Sequence, residues 1–198
     1  MNMKFLKALV VLMVVSLPFI YGYNVYTRGS WEVAQKVTPL GQLPSEVKES
    51  SRITLADEPN TYFTHNDHGA GGAPAVIFKV SETGKLIKTY SISGASNEDW
   101  EDITKDKSAN IYIGDFWNNN NKRRNLRIFK LNFQDSSKVD TIQFHYEDQQ
   151  KFPPGKKDRN FDSEAFFWHD GKLYLFTKDR GREEMVNVYE LPDQPGKY

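Results

Sequence analysis

One pattern recurs three times along the chain, and it restricts the fold more than any other feature. Each copy holds a strand-like run with a tyrosine at the same point: Asn60-Thr61-Tyr62-Phe63-Thr64, Asn110-Ile111-Tyr112-Ile113-Gly114 and Lys172-Leu173-Tyr174-Leu175-Phe176. A polar loop follows, then Ile77-Phe78-Lys79-Val80, Ile128-Phe129-Lys130-Leu131 or Val188-Tyr189-Glu190-Leu191, each β-branched, aromatic, charged and aliphatic in turn. A lead-in precedes each tyrosine: Glu49-Ser50-Ser51-Arg52-Ile53, Asp99-Trp100-Glu101-Asp102-Ile103 and Asp162-Ser163-Glu164-Ala165-Phe166. Alternating runs at 85–92 and 141–146 supply a fourth strand to the first two copies. Four antiparallel strands per unit, at a spacing of roughly 50 to 60 residues, predict the blades of a β-propeller. An ordinary β-sandwich is not expected to repeat an acidic lead-in in register with the strands that follow.

The expected fold is therefore all-β, with four-stranded antiparallel blades over residues 47–198, following an N-terminal hydrophobic helix. A propeller closes with about 4–8 blades, and this chain supplies about three. Residues 192–198 are too few for an outer strand and a further blade. Uncovered blade faces favour aggregation, so truncation is expected, in preference to closure by oligomerisation.

Lys4 and Lys7 precede an uncharged run from Ala8 to Tyr23, which reads as an export signal. That run is short for a spanning helix of ~20 residues, yet no A-x-A cleavage site follows it. Both a cleaved signal over residues 1–23 and a retained inner-membrane anchor over residues 8–26 remain open. Either places the rest of the chain in the periplasm or outside the cell, with the membrane reached only through this segment. Residues 24–46, with Pro39, Gly41 and Pro44, read as a linker. Lysine plus arginine and aspartate plus glutamate both total 26, so no nucleic-acid partner is indicated. The absence of cysteine excludes disulfides, a thiolate nucleophile, Cys-ligated zinc and a lipoprotein anchor.

The lead-ins carry the candidate chemistry. In a propeller they converge on the central axis, bringing Glu49, Asp99, Glu101, Asp162 and Glu164 together. Ionised carboxylates crowded in this way raise one another's pKa unless a cation joins them. Ca²⁺, with 6–8 oxygen ligands, meets that need. Asn66, Asp67, Asp115, Asn118 and Asn119 follow the tyrosine strands and can add oxygens. The alternative is that these acids cap turns through local backbone hydrogen bonds. His65 and His68 flank Asp67 without an evident third metal ligand; a rim role is expected, with general-base work as the functional alternative. Arg123, in the run Lys122-Arg123-Arg124, is the residue expected to clamp a phosphate ester if one is the substrate. His145 and His169 read as structural. Neither a G-x-S-x-G elbow, nor a P-loop, nor H-E-x-x-H occurs.

These motifs resemble a family of exported bacterial proteins related to the SdiA-regulated and esterase-like phytase propellers, and more distantly to gluconolactonase-like calcium propellers. The resemblance rests on Glu49-Ser50-Ser51, Thr64-His65-Asn66-Asp67-His68-Gly69, Asn97-Glu98-Asp99-Trp100-Glu101-Asp102-Ile103, Tyr112-Ile113-Gly114-Asp115-Phe116, Asn118-Asn119 with Arg123, Asp162-Ser163-Glu164-Ala165, and Thr177-Lys178. It spans residues 43–191 and implies the propeller fold and a metal-binding channel. Trp117 and Arg52 stand where the family pattern has glycine. The functional expectation is a binding or scaffold module for a small molecule or protein, with an acidic, Ca-binding channel. The alternative is a metal-dependent hydrolase of phosphoesters or lactones, in which Asp99, Glu101 and Glu164 hold the metal and a metal-bound water attacks.

Overall fold

Short alternating strands joined by tight turns build the unit Leu40–Tyr198. The computed structural model describes residues 37–67, 74–133 and 138–198. The signal or anchor segment, most of the linker, and His68 lie outside the described residues. Among the described residues no helix is long and apolar enough to cross a membrane.

The first sheet is a meander of β1 (Ser50–Leu55), β2 (Thr61–Asn66), β3 (Val76–Ser81) and β4 (Leu86–Ser91). The second repeats it with β5 (Trp100–Lys105), β6 (Asn110–Asp115), β7 (Leu126–Asn132) and β8 (Val139–Phe144). The third holds β9 (Asp162–His169), β10 (Lys172–Lys178) and β11 (Val188–Pro192). All these neighbours pair antiparallel. The chain then turns back, and β12 (Gly196–Lys197) pairs in parallel with β8 on the outer edge of the second sheet. Residues 192–198, expected to add nothing to the architecture, thus supply a fifth strand to the preceding sheet. The protein is all-β with several antiparallel sheets, and among the described residues these do not close into a barrel or a ring.

Local chemistry sets the turns. Asp170 and Gly171 both have positive φ (48° and 80°) between the paired residues His169 and Lys172. Two central residues of this kind match the right-handed twist of a hairpin, which is why Asp-Gly occupies the position. Asn121, in the asparagine run, also adopts positive φ (52°), whereas Trp117 does not, so the bulky residue there imposes no left-handed strain.

The sheets stack through alternate faces. Phe63 and Ile77 of the first meet Ile103, Ile111, Ile113 and Phe129 of the second. On its opposite face the second presents Tyr112, Ile128 and Ile142 to Leu173, Leu175 and Leu191 of the third. The three tyrosines aligned by sequence do not share a face. Tyr112 is fully buried against the third sheet, and Tyr174 stacks on Phe167 (5.2 Å) on the third sheet's other side. Tyr62 instead joins Phe78, Val80 and Val47 on the side of the first sheet away from the second. It is Phe63 that occupies the position equivalent to Tyr112. A one-residue slip in strand alignment moves every side chain to the opposite face, so the tyrosine run of the first copy is misaligned by one residue. Its lead-in (Ile53 opposite Thr64, as Ile103 is opposite Ile113) and its third strand (Lys79 opposite Phe63, as Lys130 is opposite Tyr112) stay in step with the second copy.

β5 packs beside both β1 and β9, so the lead-in strands lie next to one another. Asp102 ties two of them: its Oδ2 accepts the Phe166 backbone N–H (2.7 Å) and its Oδ1 that of Ile103 (2.8 Å). Arg52 reaches from β1 to the Glu164 carbonyl (3.0 Å) and lies 3.6 Å from Asp102. Arg52 therefore bridges three strands.

Candidate metal centre

Each lead-in strand skips a residue in its pairing at the aligned position. β5 pairs Trp100 with Asp115 and Asp102 with Gly114, passing over Glu101. β9 pairs Ser163 with Thr177 and Ala165 with Phe176, passing over Glu164. β1 skips between Ser50 and Ile53. A bulge leaves its extra residue outside the ladder and re-aims its side chain. Trp100 fixes the β5 bulge. Its side chain is fully buried, its backbone N–H donates to Asn97 Oδ1 (3.0 Å), and its indole N–H donates to the Ser96 carbonyl (3.0 Å).

One carboxylate oxygen from each of Asp67, Asp99 and Glu101 lies within 4.8 Å of the other two. Asp67 comes from the end of β2; Asp99 and Glu101 flank Trp100. Three carboxylates at this separation form an all-oxygen donor set, which suits a hard divalent cation and does not by itself select calcium. Partial burial, followed by the hydrogen bond and charge of Asp67, pushes the Asp99 carboxyl up to about 7. Glu101 is pushed up to about 8, first by burial and then by the charges of Asp67, Glu164, Asp99 and Asp162. Among the described residues no lysine or arginine forms an ion pair with Asp99 or Glu101.

The other expected ligands separate from this group. Asp162 is fully buried, accepts the Asn118 backbone N–H (2.6 Å) and pairs with Arg180 Nε (2.7 Å). Burial raises its pKa despite those donors. Glu164 pairs with the same arginine through Nη2, with Lys178 at 3.8 Å. Glu49 is exposed and meets this region through its backbone, its carbonyl accepting the Asp67 N–H (2.9 Å). Asp115 is fully buried between Arg123 (3.1 Å) and Arg127 (2.8 Å), and Glu98 bridges both arginines. Arg123, the expected phosphate clamp, donates to Asn125, the Trp117 carbonyl and Asp115, and pairs with Glu98 (3.2 Å). Its side chain is only 14% exposed, so its donors are committed to the protein.

Asn66 joins the Glu46 carbonyl to the Glu49 N–H, and Asn118 joins the Phe161 carbonyl to the Arg123 N–H. Asn119 is half-buried, with its Oδ1 unpartnered. His65 is fully buried with its ring 5.6 Å from that of Trp100, and burial depresses its pKa. A buried neutral imidazole that contacts its own strand and a tryptophan is a core residue. Arg127 and Arg180 were not singled out by the sequence. Their only signal there is an arginine one or two residues into a strand or just past its end, opposite an acidic lead-in.

The sequence matches no known family model, and no curated protein aligns with it significantly.

Proposed function

We propose that the chain is an exported or membrane-anchored propeller segment, its three sheets serving as blades, and that it acts as a binding or scaffold module holding a divalent cation. The observation that carries this reading is the Asp67, Asp99 and Glu101 group, whose oxygens come within 4.8 Å of one another without an arginine or lysine paired to Asp99 or Glu101. Ca²⁺ is the proposed ion, because it accepts carboxylate donors in flexible geometry and fills its remaining positions with carbonyls and water. The two meanders, the bulged lead-ins side by side and the face-to-face stacking all support the propeller reading and the family resemblance. Export rests on Lys4, Lys7 and the uncharged run that follows.

A second reading, a metal-dependent hydrolase of phosphoesters or lactones, draws on Glu101. Asp99 and Glu101 would hold the metal in that reading, and a metal-bound water would be the nucleophile. Calorimetry tests the first reading. Chelator-treated protein titrated with Ca²⁺ is expected to release or absorb heat, and Asp99→Ala and Glu101→Ala are expected to abolish the signal. A silent wild type would overturn both readings. A metal-binding protein with no turnover on a phosphoester and lactone panel would remove the second alone.

A further inference from the structure

The outer rim of the second sheet holds a groove of about 320 Å³, remote in chemistry from the carboxylate centre. Arg124, His145 and Lys197 line it together with the rings of Phe152 and Tyr198, and no carboxylate side chain is among its lining residues. Arg123 and Arg127 pair with Asp115, and Arg180 pairs with Asp162. Among the described residues neither Arg124 nor Lys197 forms an ion pair.

The groove is built rather than incidental. The Arg124 guanidinium carbon sits 3.9 Å from the centroid of Phe152. Stacking of this kind engages the face of the guanidinium and leaves its in-plane N–H donors pointing outward, in the fork that matches phosphate oxygens. Parallel pairing of β12 with β8 sets the opposite wall, with the Tyr198 N–H donating to the Gln143 carbonyl (2.9 Å). His145 Nδ1 lies 2.8 Å from the Tyr198 carbonyl oxygen. A backbone oxygen only accepts, so Nδ1 carries the proton and His145 is held against the strand that walls the groove.

We propose that this groove binds a phosphomonoester of a planar ring, about the size of a mononucleotide. Arg124 and Lys197 face the phosphate oxygens, and the ring lies against Phe152 and Tyr198. A volume of about 320 Å³ stands at the small end of ligand pockets. This site is independent of the metal reading.

Phenyl phosphate in the presence of chelator is the probe, with inorganic phosphate and phenol as the two halves of the ligand. Calorimetry is expected to show phenyl phosphate binding at least roughly tenfold tighter than either half, with Arg124→Ala and Lys197→Ala each weakening it by about tenfold. Arg124→Lys, which keeps the charge and loses the fork, is expected to recover only part of the affinity. Asp99→Ala and Glu101→Ala are expected to leave it unchanged. Both basic residues are exposed, and coincident thermal melts would establish that the variants fold. Affinity no better than that of phosphate, affinity indifferent to both alanine variants, or affinity lost with Glu101→Ala would each overturn the assignment.

Discussion

On β9, Asp162 and Glu164 share Arg180, which gives its Nε to one and its Nη2 to the other. At the start of β5, the aligned pair Asp99 and Glu101 faces a third carboxylate, Asp67, instead. The two lead-ins begin from the same D-x-E pattern and the same bulge, yet one brings its own cation and the other gathers more negative charge. Crowded carboxylates have three remedies, a protein cation, a bound cation or a retained proton, and this molecule uses the first where an arginine follows the neighbouring strand. The buried Asp115 takes the protein remedy as well, with two arginines. Asp67, Asp99 and Glu101 are thus the acidic group that could hold a metal ion.

The largest effect should come from removing the internal remedy. Arg180→Met leaves the fully buried Asp162 without its cation, which should cost about 3–5 kcal/mol in denaturant unfolding. Asp67→Asn in metal-free protein should cost far less, because it relieves repulsion. Equal losses in the two variants would erase the distinction.

Next in size is the response to calcium. At a free concentration 100 times the dissociation constant, Ca²⁺ should stabilise the wild type by about 2.7 kcal/mol. Glu101→Gln should lose that gain, and Glu164→Gln should keep most of it. Thermal melts with and without chelator decide it. A Glu164→Gln variant as unresponsive as Glu101→Gln would merge the two groups into one site.

The smallest effect is the pH dependence of the metal-free protein. Asp99 and Glu101 are raised to about 7 and about 8, so the folded state binds more protons than the unfolded chain above the ordinary carboxylate range. Their contribution to stability is fully present below about pH 4 and is lost as pH rises to about 8. Both groups are partly exposed, so screening should hold the change to about 1 kcal/mol or less. Calcium requires the deprotonated carboxylates, so its affinity should rise through the same window. Denaturation midpoints at pH 5 and pH 8 check the first sign, and titrations at pH 6 and pH 8 the second.

Much of the fold was legible because strand periodicity and turn residues are local properties. The strand runs follow from residues close together in the chain, whereas the bulges in the lead-ins appear only in the strand pairing. The face assignment of Tyr62 was not legible, since Phe63 and not Tyr62 lies opposite Lys79 as Tyr112 lies opposite Lys130, and only the strand pairing reveals it. Asp99 and Glu101 were legible as candidate ligands, and Asp67 as a supplementary one. Their separation from Asp162, Glu164 and Glu49 was not. It depends on Arg180, whose partners lie 16 and 18 residues away across the sheet. Arg123 misled for the same reason: a basic loop run reads as a phosphate clamp until the buried Asp115 beside it is seen.

The parallel pairing of β12 with β8 reaches beyond the groove it helps to wall. Backbone donors and acceptors along the rim of a sheet are a template on which another chain can lay a strand. In the second sheet part of that template is already occupied, around Ile142 and Gln143, by Gly196 and Lys197. The first and third sheets end instead on β4 and β11, each with one side unmatched among the described residues. A chain that recruits its neighbours by strand addition will therefore do so at those two rims, leaving the middle sheet as the part least able to seed an assembly.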